Sequence, residues 1–207
     1  MPLDARGVAR ALEQRHWVVD VRGTSEFGRS HVTGSVHVPS ASKSFATYAG
    51  SVLTYDRPIT LIAKSQEQAH NAARVLALIG LDDVVGWAAF DALQQSTEGT
   101  RLGSIKVIDA GALASQLEHN GPRVIDVRNR TEWNEGHLPK ATHIYLGDLS
   151  ERIGDADKEK PIVVHCATGS RSSIAASLLL ARGFTDVVNF AGGFDAWRKA
   201  GLPVEKP

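Results

Sequence analysis

Apolar and polar residues follow two different periods along this chain, and the periods predict strands and helices in alternation. The β-branched runs VVDV at 18–21 and VIDV at 124–127 have the length and composition of buried strands. Residues 4–15 and 109–118 instead place apolar side chains at helical spacing. This alternation predicts an α/β fold with a mainly parallel sheet that is flanked by helices on both faces.

A second strand and helix follow in each half of the chain. The apolar runs ITLIA and IVVHC each lead through a loop into a predicted helix, over 71–79 and 172–181. Gly80 and Gly183 follow these segments, as expected where helices end. The two halves therefore share one order of predicted elements.

The two halves also share sequence. The segment WVVDVRGTSEFGRSHVTGSVHVP, which starts at Trp17, recurs 106 positions later as RVIDVRNRTEWNEGHLPKATHIYL from Arg123. The polar stretch 94–104 lies between the copies and is typical of a linker, so we predict domains at residues 1–100 and 104–207. We attribute residues present in both copies to the shared fold, and we treat residues present only in the second copy as candidates for chemistry.

Composition limits the classes of partner and the location. The 207 residues are 43% hydrophobic and 22% charged, enough for two compact units of about 100 residues each. The formal net charge is zero, so we expect neither a nucleic-acid partner nor an anionic membrane partner. No apolar run approaches transmembrane length, and the N-terminal segment lacks the apolar core of a signal peptide, which predicts a cytoplasmic protein.

The one cysteine, Cys166, lies where a predicted strand ends and a tight loop leads into a helix. Ligands of open α/β sheets bind at this edge. Backbone N–H groups of the loop would surround an anion there, with Gly169 permitting the tight curve and Arg171 adding a positive charge. Such a setting stabilises the thiolate, so Cys166 is predicted to be the catalytic nucleophile. The predicted substrate-binding residues are Ala167, Thr168, Gly169, Ser170, Arg171 and Ser172.

The first copy lacks this chemistry. Aligning PITLIA with PIVVHC places Ala63 at the position of Cys166 and Gln68 at the position of Arg171. Glu67 brings a negative charge to the same loop. We therefore expect the first copy to be inactive, although a slip of one or two residues would bring Ser65 near the cysteine position.

Several polar residues are predicted to be structural because both copies contain them. We expect the acidic and basic ones to form a buried network that pins the first strand to the following turn. These residues are Asp126, Arg128 and Glu132, with the twins Asp20, Arg22 and Glu26. The histidines His137 and His143 have the twins His31 and His37, and no nearby carboxylate or cysteine cluster favours zinc, so neither a metal nor another cofactor is expected.

His165 and the aromatic residues are also assigned to the fold. His165 precedes Cys166, but strand alternation turns its side chain away from the loop. The aromatic side chains expected in the core are Trp133, Trp197, Phe27 and Phe90.

Three segments carry a resemblance to a known family. DVRNRTEWNEGHLPKA, HCATGSRSS and NFAGGFDAWRKAGLP resemble the signatures of rhodanese-type sulfurtransferases, and the whole chain resembles a tandem rhodanese. The stretch SFATYAGSVLTYDRPITLIAK is similar to the inactive first module of the rhodanese pairs fused to metallo-β-lactamase-fold persulfide dioxygenases. Lys140 departs from the family pattern, which usually has glycine in this turn.

The resemblance implies an inactive rhodanese-like domain over 1–100, a catalytic one over 104–207, and a ping-pong reaction. Cys166 would take sulfane sulfur from thiosulfate, polysulfide or glutathione persulfide, hold it as a persulfide, and pass it to cyanide or a thiol. The partners would be small sulfur-containing anions and thiols, and a persulfide dioxygenase of the metallo-β-lactamase fold is a further candidate.

Two other functions stay open at the level of sequence. The pair of domains would also suit a persulfide carrier or regulatory module that acts with a persulfide dioxygenase. A cysteine phosphatase is the other alternative, because dual-specificity cell-cycle phosphatases resemble this fold. In their loops arginine lies six positions after the cysteine, whereas Arg171 lies five positions after Cys166, which favours sulfur over a phosphoryl group.

Overall fold

The computed structural model of the chain describes residues 1–96, 98–119, 121–154 and 158–207. The chain divides into two compact units, Met1–Ser104 and Ile105–Pro207. Each unit has its own mainly parallel sheet flanked by helices, so the predicted α/β class is confirmed.

The first unit contains a four-stranded parallel sheet in the order β3-β1-β4-β5. Its elements are α1 (Ala5–Glu13), β1 (Trp17–Asp20), α2 (Thr24–Arg29), β2 (His31–Val32), β3 (Val36–His37), α3 (Phe45–Val52), β4 (Ile59–Ala63), α4 (Gln66–Ala77), β5 (Val84–Ala89), α5 (Phe90–Gln95) and β6 (Leu102–Gly103). Strands β2 and β6 form a separate antiparallel pair. The core on one side of the sheet includes Val8, Ile62 and Leu93.

The second unit contains a five-stranded parallel sheet in the order β7-β11-β10-β8-β9. Its elements are β7 (Lys106–Val107), α6 (Ala110–Glu118), β8 (Arg123–Asp126), α7 (Arg130–Glu135), β9 (Thr142–His143), a 3₁₀ turn (Leu146–Asp148), α8 (Leu149–Arg152), β10 (Ile162–His165), α9 (Ser170–Ala181), β11 (Val187–Phe190) and α10 (Gly193–Lys199). The core on one side of this sheet includes Leu113, Phe190 and Trp197.

The predicted strands are present, with ends that differ by one residue at most positions. The two helices that follow the central strands begin earlier than predicted, at Gln66 and Ser170, because the loops before them are shorter than their polar composition suggested. The predicted linker 94–104 is partly wrong: its first residues end α5, and Leu102–Gly103 pairs with β2. Thr97 within this stretch lies outside the described residues.

A buried ion pair holds the first strand to the following turn in each unit. The carboxylate of Asp126 accepts hydrogen bonds from the backbone N–H of Arg128 at 3.0 Å and from its side chain at 2.7–3.0 Å. The Arg128 guanidinium also donates to the carbonyl of Gly136 at 2.7 Å. Asp20 and Arg22 repeat this geometry. The predicted buried network is therefore confirmed for the aspartate–arginine pairs.

The paired histidines stack on an aromatic ring, as structural residues. Phe27 lies between His31 and His37, with ring centroids 4.2 and 4.7 Å away. The same arrangement places His137 at 3.5 Å from Trp133, which is only half-buried, so the prediction of a core position is wrong for that tryptophan. The other three aromatic side chains expected in the core are buried: Trp197, Phe27 and Phe90.

Lys140 adopts a left-handed backbone conformation, with φ at +61°. Gly34, at the same position of the first copy, has φ at +90°. The turn thus needs the conformation that glycine adopts most easily, which accounts for the glycine that is usual in this turn. The Lys140 ammonium donates to the carbonyl of Leu117 at 2.9 Å and so ties this turn to α6.

The buried His37 makes the first unit sensitive to acid. Burial lowers the pKa of His37 from 6.5 to about 4. The unfolded chain takes up a proton as the pH falls below 6.5, whereas the folded chain does so only near pH 4. Stability that is present at pH 7 is therefore lost between these values, by about 3 kcal/mol in total.

We predict that His37→Gln removes this dependence. The glutamine amide can still donate to the carbonyl of Arg22, as the His37 ring does at 3.1 Å. Hydrogen exchange of the β1 peptide in the full chain, measured between pH 7 and pH 4, should show protection declining in the wild type relative to the variant. Parallel pH profiles for the two proteins would contradict the prediction.

Candidate active site

Cys166 is the first residue beyond the central strand of the second unit. Strand β10 ends at His165, which pairs with Asp126 in the neighbouring strand. In the first unit the equivalent strand continues to Ala63, which pairs with Ala89. The cysteine position therefore leaves the sheet in the second unit and stays in it in the first.

Two glycines let the loop after Cys166 pack directly against the turn before α10. Gly169 has φ at +106°, and a Cβ there would lie 2.3 Å from the carbonyl oxygen of Ala191. Gly193 has φ at +57°, and its Cβ would lie 2.4 Å from the carbonyl oxygens of both Cys166 and Ala167. Any side chain at either position would push the loop away from this turn.

The backbone of α10 holds the two carbonyl groups of this loop. The N–H of Phe194 donates to the carbonyl of Cys166 at 2.8 Å, and the N–H of Asp195 donates to that of Ala167 at 3.1 Å. In a trans peptide the C=O and the following N–H point in opposite directions. The N–H groups of Ala167 and Thr168 therefore point away from α10.

Neither of these N–H groups has a hydrogen-bond acceptor within the described ranges of the chain. Backbone N–H groups without an acceptor bind anions when several of them lie on one curved loop. The first turn of α9 starts in the same loop and includes Ser170, Arg171 and Ser172, whose N–H groups precede the first full helical turn.

The sulfur of Cys166 lies under the loop, with 1% of the residue exposed. The N–H of Gly169 donates to Sγ at 3.1 Å. The hydroxyl of Ser172 lies 3.6 Å from the same sulfur and 3.1 Å from the carbonyl of Gly169. The sulfur is therefore contacted by a backbone donor of the loop and by a hydroxyl group of the first turn of α9.

The positive charge of Arg171 is paired with a carboxylate outside the loop. Its guanidinium forms a two-pronged ion pair with Glu132, at 2.6 and 2.7 Å. This contact holds the pKa of the Glu132 carboxyl below its ordinary value. The prediction that Glu132 belongs to the Asp126–Arg128 network is wrong, because its side chain pairs with Arg171 and caps α7.

The corresponding loop of the first unit is filled by a side chain from the helix that follows it, α4. The Gln68 carbonyl oxygen accepts from the N–H of Lys64 at 2.9 Å, and its amide donates to Val21 and Ser40. Lys64 occupies the position of Ala167, so the N–H that lacks an acceptor in the second unit is satisfied here. Ser65 caps α4 and therefore does not substitute for the cysteine.

His165 lies beneath the loop. Its ring is fully buried, as strand alternation predicts, and faces Phe190 with ring centroids 6.3 Å apart. It nevertheless contacts the loop backbone, because Nδ1 lies 3.2 Å from the carbonyl oxygen of Cys166. The opposite ring nitrogen, Nε2, lies 3.6 Å from the carboxylate of Asp126.

Sequence reasoning missed the contribution of Gly193. The signal was present, because AGGF at 191–194 in the second copy stands where the first copy has AAF at 88–90. The reason for the extra glycine is visible only in the structure, where the start of α10 lies against the loop carbonyls. Within the described ranges no cluster of histidine, cysteine and acidic residues could hold a metal, and no helix is long and apolar enough to span a membrane.

These features define a protein built from two copies of one α/β domain with a cysteine loop in the second. The chain belongs to the rhodanese-like domain family, whose family model matches residues 4–88 and again residues 109–200. The match to both halves establishes the tandem arrangement.

Curated relatives agree with this assignment. The thiosulfate sulfurtransferase GlpE of Shewanella oneidensis is 34% identical over 99 residues, which cover 48% of this chain and 98% of the relative. GlpE of Pseudomonas aeruginosa is 38% identical over 85 residues, covering 41% and 77%. The structure of the Alr3790 protein from Anabaena sp. is 35% identical, covering 48% of this chain and 91% of that chain, with a TM-score of 0.45.

We predict that Gly193→Ala disrupts the loop, because the new methyl group would meet the carbonyl oxygens of Cys166 and Ala167. The second unit should lose about 1–3 kcal/mol of stability through overpacking, and alkylation of Cys166 should change strongly in rate. Gly201→Ala is the matched control, since φ there is +69° but nothing lies within 4 Å of the added methyl group. Equal effects of the two substitutions would show that backbone strain, and not the clash, is responsible.

We further predict that Arg171 and Glu132 act as a unit. Arg171→Ala leaves the Glu132 carboxylate without its partner near the loop, so the efficiency with thiosulfate should fall roughly tenfold. The double variant Arg171→Ala with Glu132→Gln should recover most of this loss. Glu26→Gln is the control, because Glu26 forms the equivalent tie to Lys64 at 2.9 Å in the first unit. Strictly additive losses in the double variant would contradict the coupling.

Proposed function

We propose that the chain is a sulfurtransferase with one working site, in which Cys166 carries sulfur as a persulfide. The observation that carries this proposal is the contrast between the two loops. The second loop combines a thiol with backbone N–H groups that have no acceptor among the described residues, whereas Gln68 fills the equivalent loop of the first unit. The curated relatives named thiosulfate sulfurtransferase support the same reaction class.

The first half-reaction loads the enzyme. The Cys166 thiolate attacks the outer sulfur of thiosulfate, a new S–S bond forms, and the S–S bond of thiosulfate breaks. Sulfite leaves with the electron pair of that bond. The N–H groups of Ala167 and Thr168, together with the first turn of α9, would hold the donor and the charged persulfide.

The second half-reaction returns the enzyme to its starting state. An acceptor such as cyanide attacks the outer sulfur of the persulfide and forms a C–S bond. The persulfide S–S bond then breaks, and its electron pair returns to the Cys166 thiolate. Thiocyanate leaves, so the cycle needs no cofactor and no external oxidant.

The donor need not be thiosulfate. Arg171 is already paired with Glu132, so its charge is not available in full to a dianion. Glutathione persulfide has a singly charged persulfide group, and polysulfide ends in the same kind of sulfur, so both are also candidates for the donor.

We predict that Cys166→Ser abolishes transfer while the protein stays folded, because an oxygen nucleophile is weak and cannot store sulfur as a persulfide. The wild-type Cys166 peptide should gain the mass of one sulfur atom after exposure to thiosulfate, polysulfide or glutathione persulfide. Thiocyanate production by the folded Cys166→Ser protein would overturn the mechanism. Hydrolysis of an aryl phosphate by the wild type, without sulfur uptake, would favour the phosphatase alternative.

The sequence resemblance also supports a carrier role beside a metallo-β-lactamase-fold persulfide dioxygenase. Such a module would load Cys166 from a partner-held persulfide and turn over free donors slowly. Steady-state turnover with free donors, compared with transfer to or from the purified dioxygenase, distinguishes the enzyme from the carrier.

A further inference from the structure

His165 is the buried ionisable group next to the nucleophile, and the chemistry described above makes no use of it. The register of the two sheets identifies its counterpart directly. His165 pairs with Asp126 in the second unit, and Ile62 pairs with Asp20 in the first. The inactive copy therefore has an apolar side chain in this position, and only the copy with the cysteine has an imidazole.

The protonated nitrogen of the ring can be assigned from the acceptors around it. The carbonyl of Cys166 can only accept, so the 3.2 Å contact is a hydrogen bond when Nδ1 carries the proton. Among the residues that the structure describes, that oxygen otherwise accepts only from the N–H of Phe194, which leaves one lone pair. The nearer oxygen of Asp126 already accepts twice from Arg128 and lies 3.6 Å from Nε2, beyond hydrogen-bond range.

Burial lowers the pKa of His165, which agrees with a neutral ring carrying one proton. The nitrogen Nε2 has no hydrogen-bond partner among the described residues. The ring is thus a fixed donor beneath the loop, with Asp126 and Arg128 packed at its other edge.

The donor acts on the peptide that determines anion binding. The carbonyl of Cys166 and the N–H of Ala167 belong to one peptide plane. A hydrogen bond from His165 that fixes the direction of this carbonyl therefore also fixes the N–H, which points away from α10. In the first unit the equivalent N–H, that of Lys64, binds the Gln68 carbonyl oxygen. This N–H thus points to a position that an oxygen atom can occupy.

We propose that His165 is a positioning residue for Cys166, which fixes the Cys166–Ala167 peptide so that the loop receives anions. The proposal rests on the proposed function in one respect, which is that the natural anion of the loop is taken to be the sulfur donor. His165 does not contact the substrate, and its effect passes through the backbone carbonyl of Cys166.

The test compares an anionic with a neutral alkylating agent on the full chain. The ratio of the Cys166 alkylation rates with iodoacetate and iodoacetamide reports anion reception at the loop, independently of sulfur transfer. His165→Ile, which copies the first unit, should lower this ratio about tenfold, the effect of one directed buried hydrogen bond. A general loss of stability would change both rates together and leave the ratio intact.

Two conservative variants separate the contacts of the ring. The amide nitrogen of asparagine takes the place of Nδ1, and that of glutamine takes the place of Nε2. His165→Asn should therefore restore the ratio to within about threefold of the wild type, and His165→Gln should not. A ratio unchanged in His165→Ile, or equal recovery by the two amides, would overturn the proposal.

A measurement on the wild type keeps the test independent of variant folding. In ¹⁵N-histidine-labelled protein, the His165 ring should carry its proton on Nδ1 at neutral pH. A proton on Nε2 would overturn the assignment. If the ratio behaves as expected but no sulfur is transferred, then the proposed function fails while the positioning role of His165 stands.

Discussion

The fold of each unit depends on a buried aspartate–arginine pair at the end of its first strand. Burying these charges is costly, and the ion pair and hydrogen bonds that the partners make offset part of that cost. Asp126 accepts from the backbone and side chain of Arg128, whose guanidinium reaches Gly136 and lies 4.1 Å above the ring of Phe194. One ion pair thereby joins the first strand, the turn after α7 and the start of α10.

The same pair indirectly supports the loop chemistry. Phe194 packs under the Arg128 guanidinium and donates its N–H to the carbonyl of Cys166. The position of α10, and therefore the direction of the loop carbonyls, depends on a residue that is shared by both copies. In the first unit Arg22 lies over Phe90 at 3.3 Å, but Ala63 stays in the sheet. The shared frame is thus necessary for the site and not sufficient for it.

The internal repeat made much of the fold predictable from the sequence. Residues common to both copies, such as Asp126 and Arg128, were assigned to the frame, and the buried ion pairs confirm that assignment. The partner of Glu132 was not predictable, because Arg171 follows 39 residues later and the contact exists only when α7 and α9 are brought together. The half-burial of Trp133 was also missed, since an aromatic residue in a repeat position does not reveal how much of its ring the histidines cover.

His165 and Gly193 show most clearly what could not be predicted from the sequence. Alternation along β10 correctly places the His165 ring in the core, but a residue can face the core and still bond the backbone of its neighbour. Gly193 is informative in sequence only as an insertion, and its consequence depends on two carbonyl oxygens that would lie 2.4 Å from any Cβ at this position. Both residues act on backbone direction, which side-chain patterns do not encode.

The two loops also show how one frame can close or open an anion site. In each unit a glutamate on the helix after the first strand ties a cation near the loop: Glu26 with Lys64, and Glu132 with Arg171. In the first unit the cation belongs to the loop itself, and its N–H is satisfied by Gln68. In the second unit the cation belongs to α9, and alanine takes the loop position. The glutamate therefore forms its ion pair with a loop residue in the first unit and with a helix residue in the second. The second arrangement keeps an ion pair beside the loop and leaves the loop N–H groups available to a ligand.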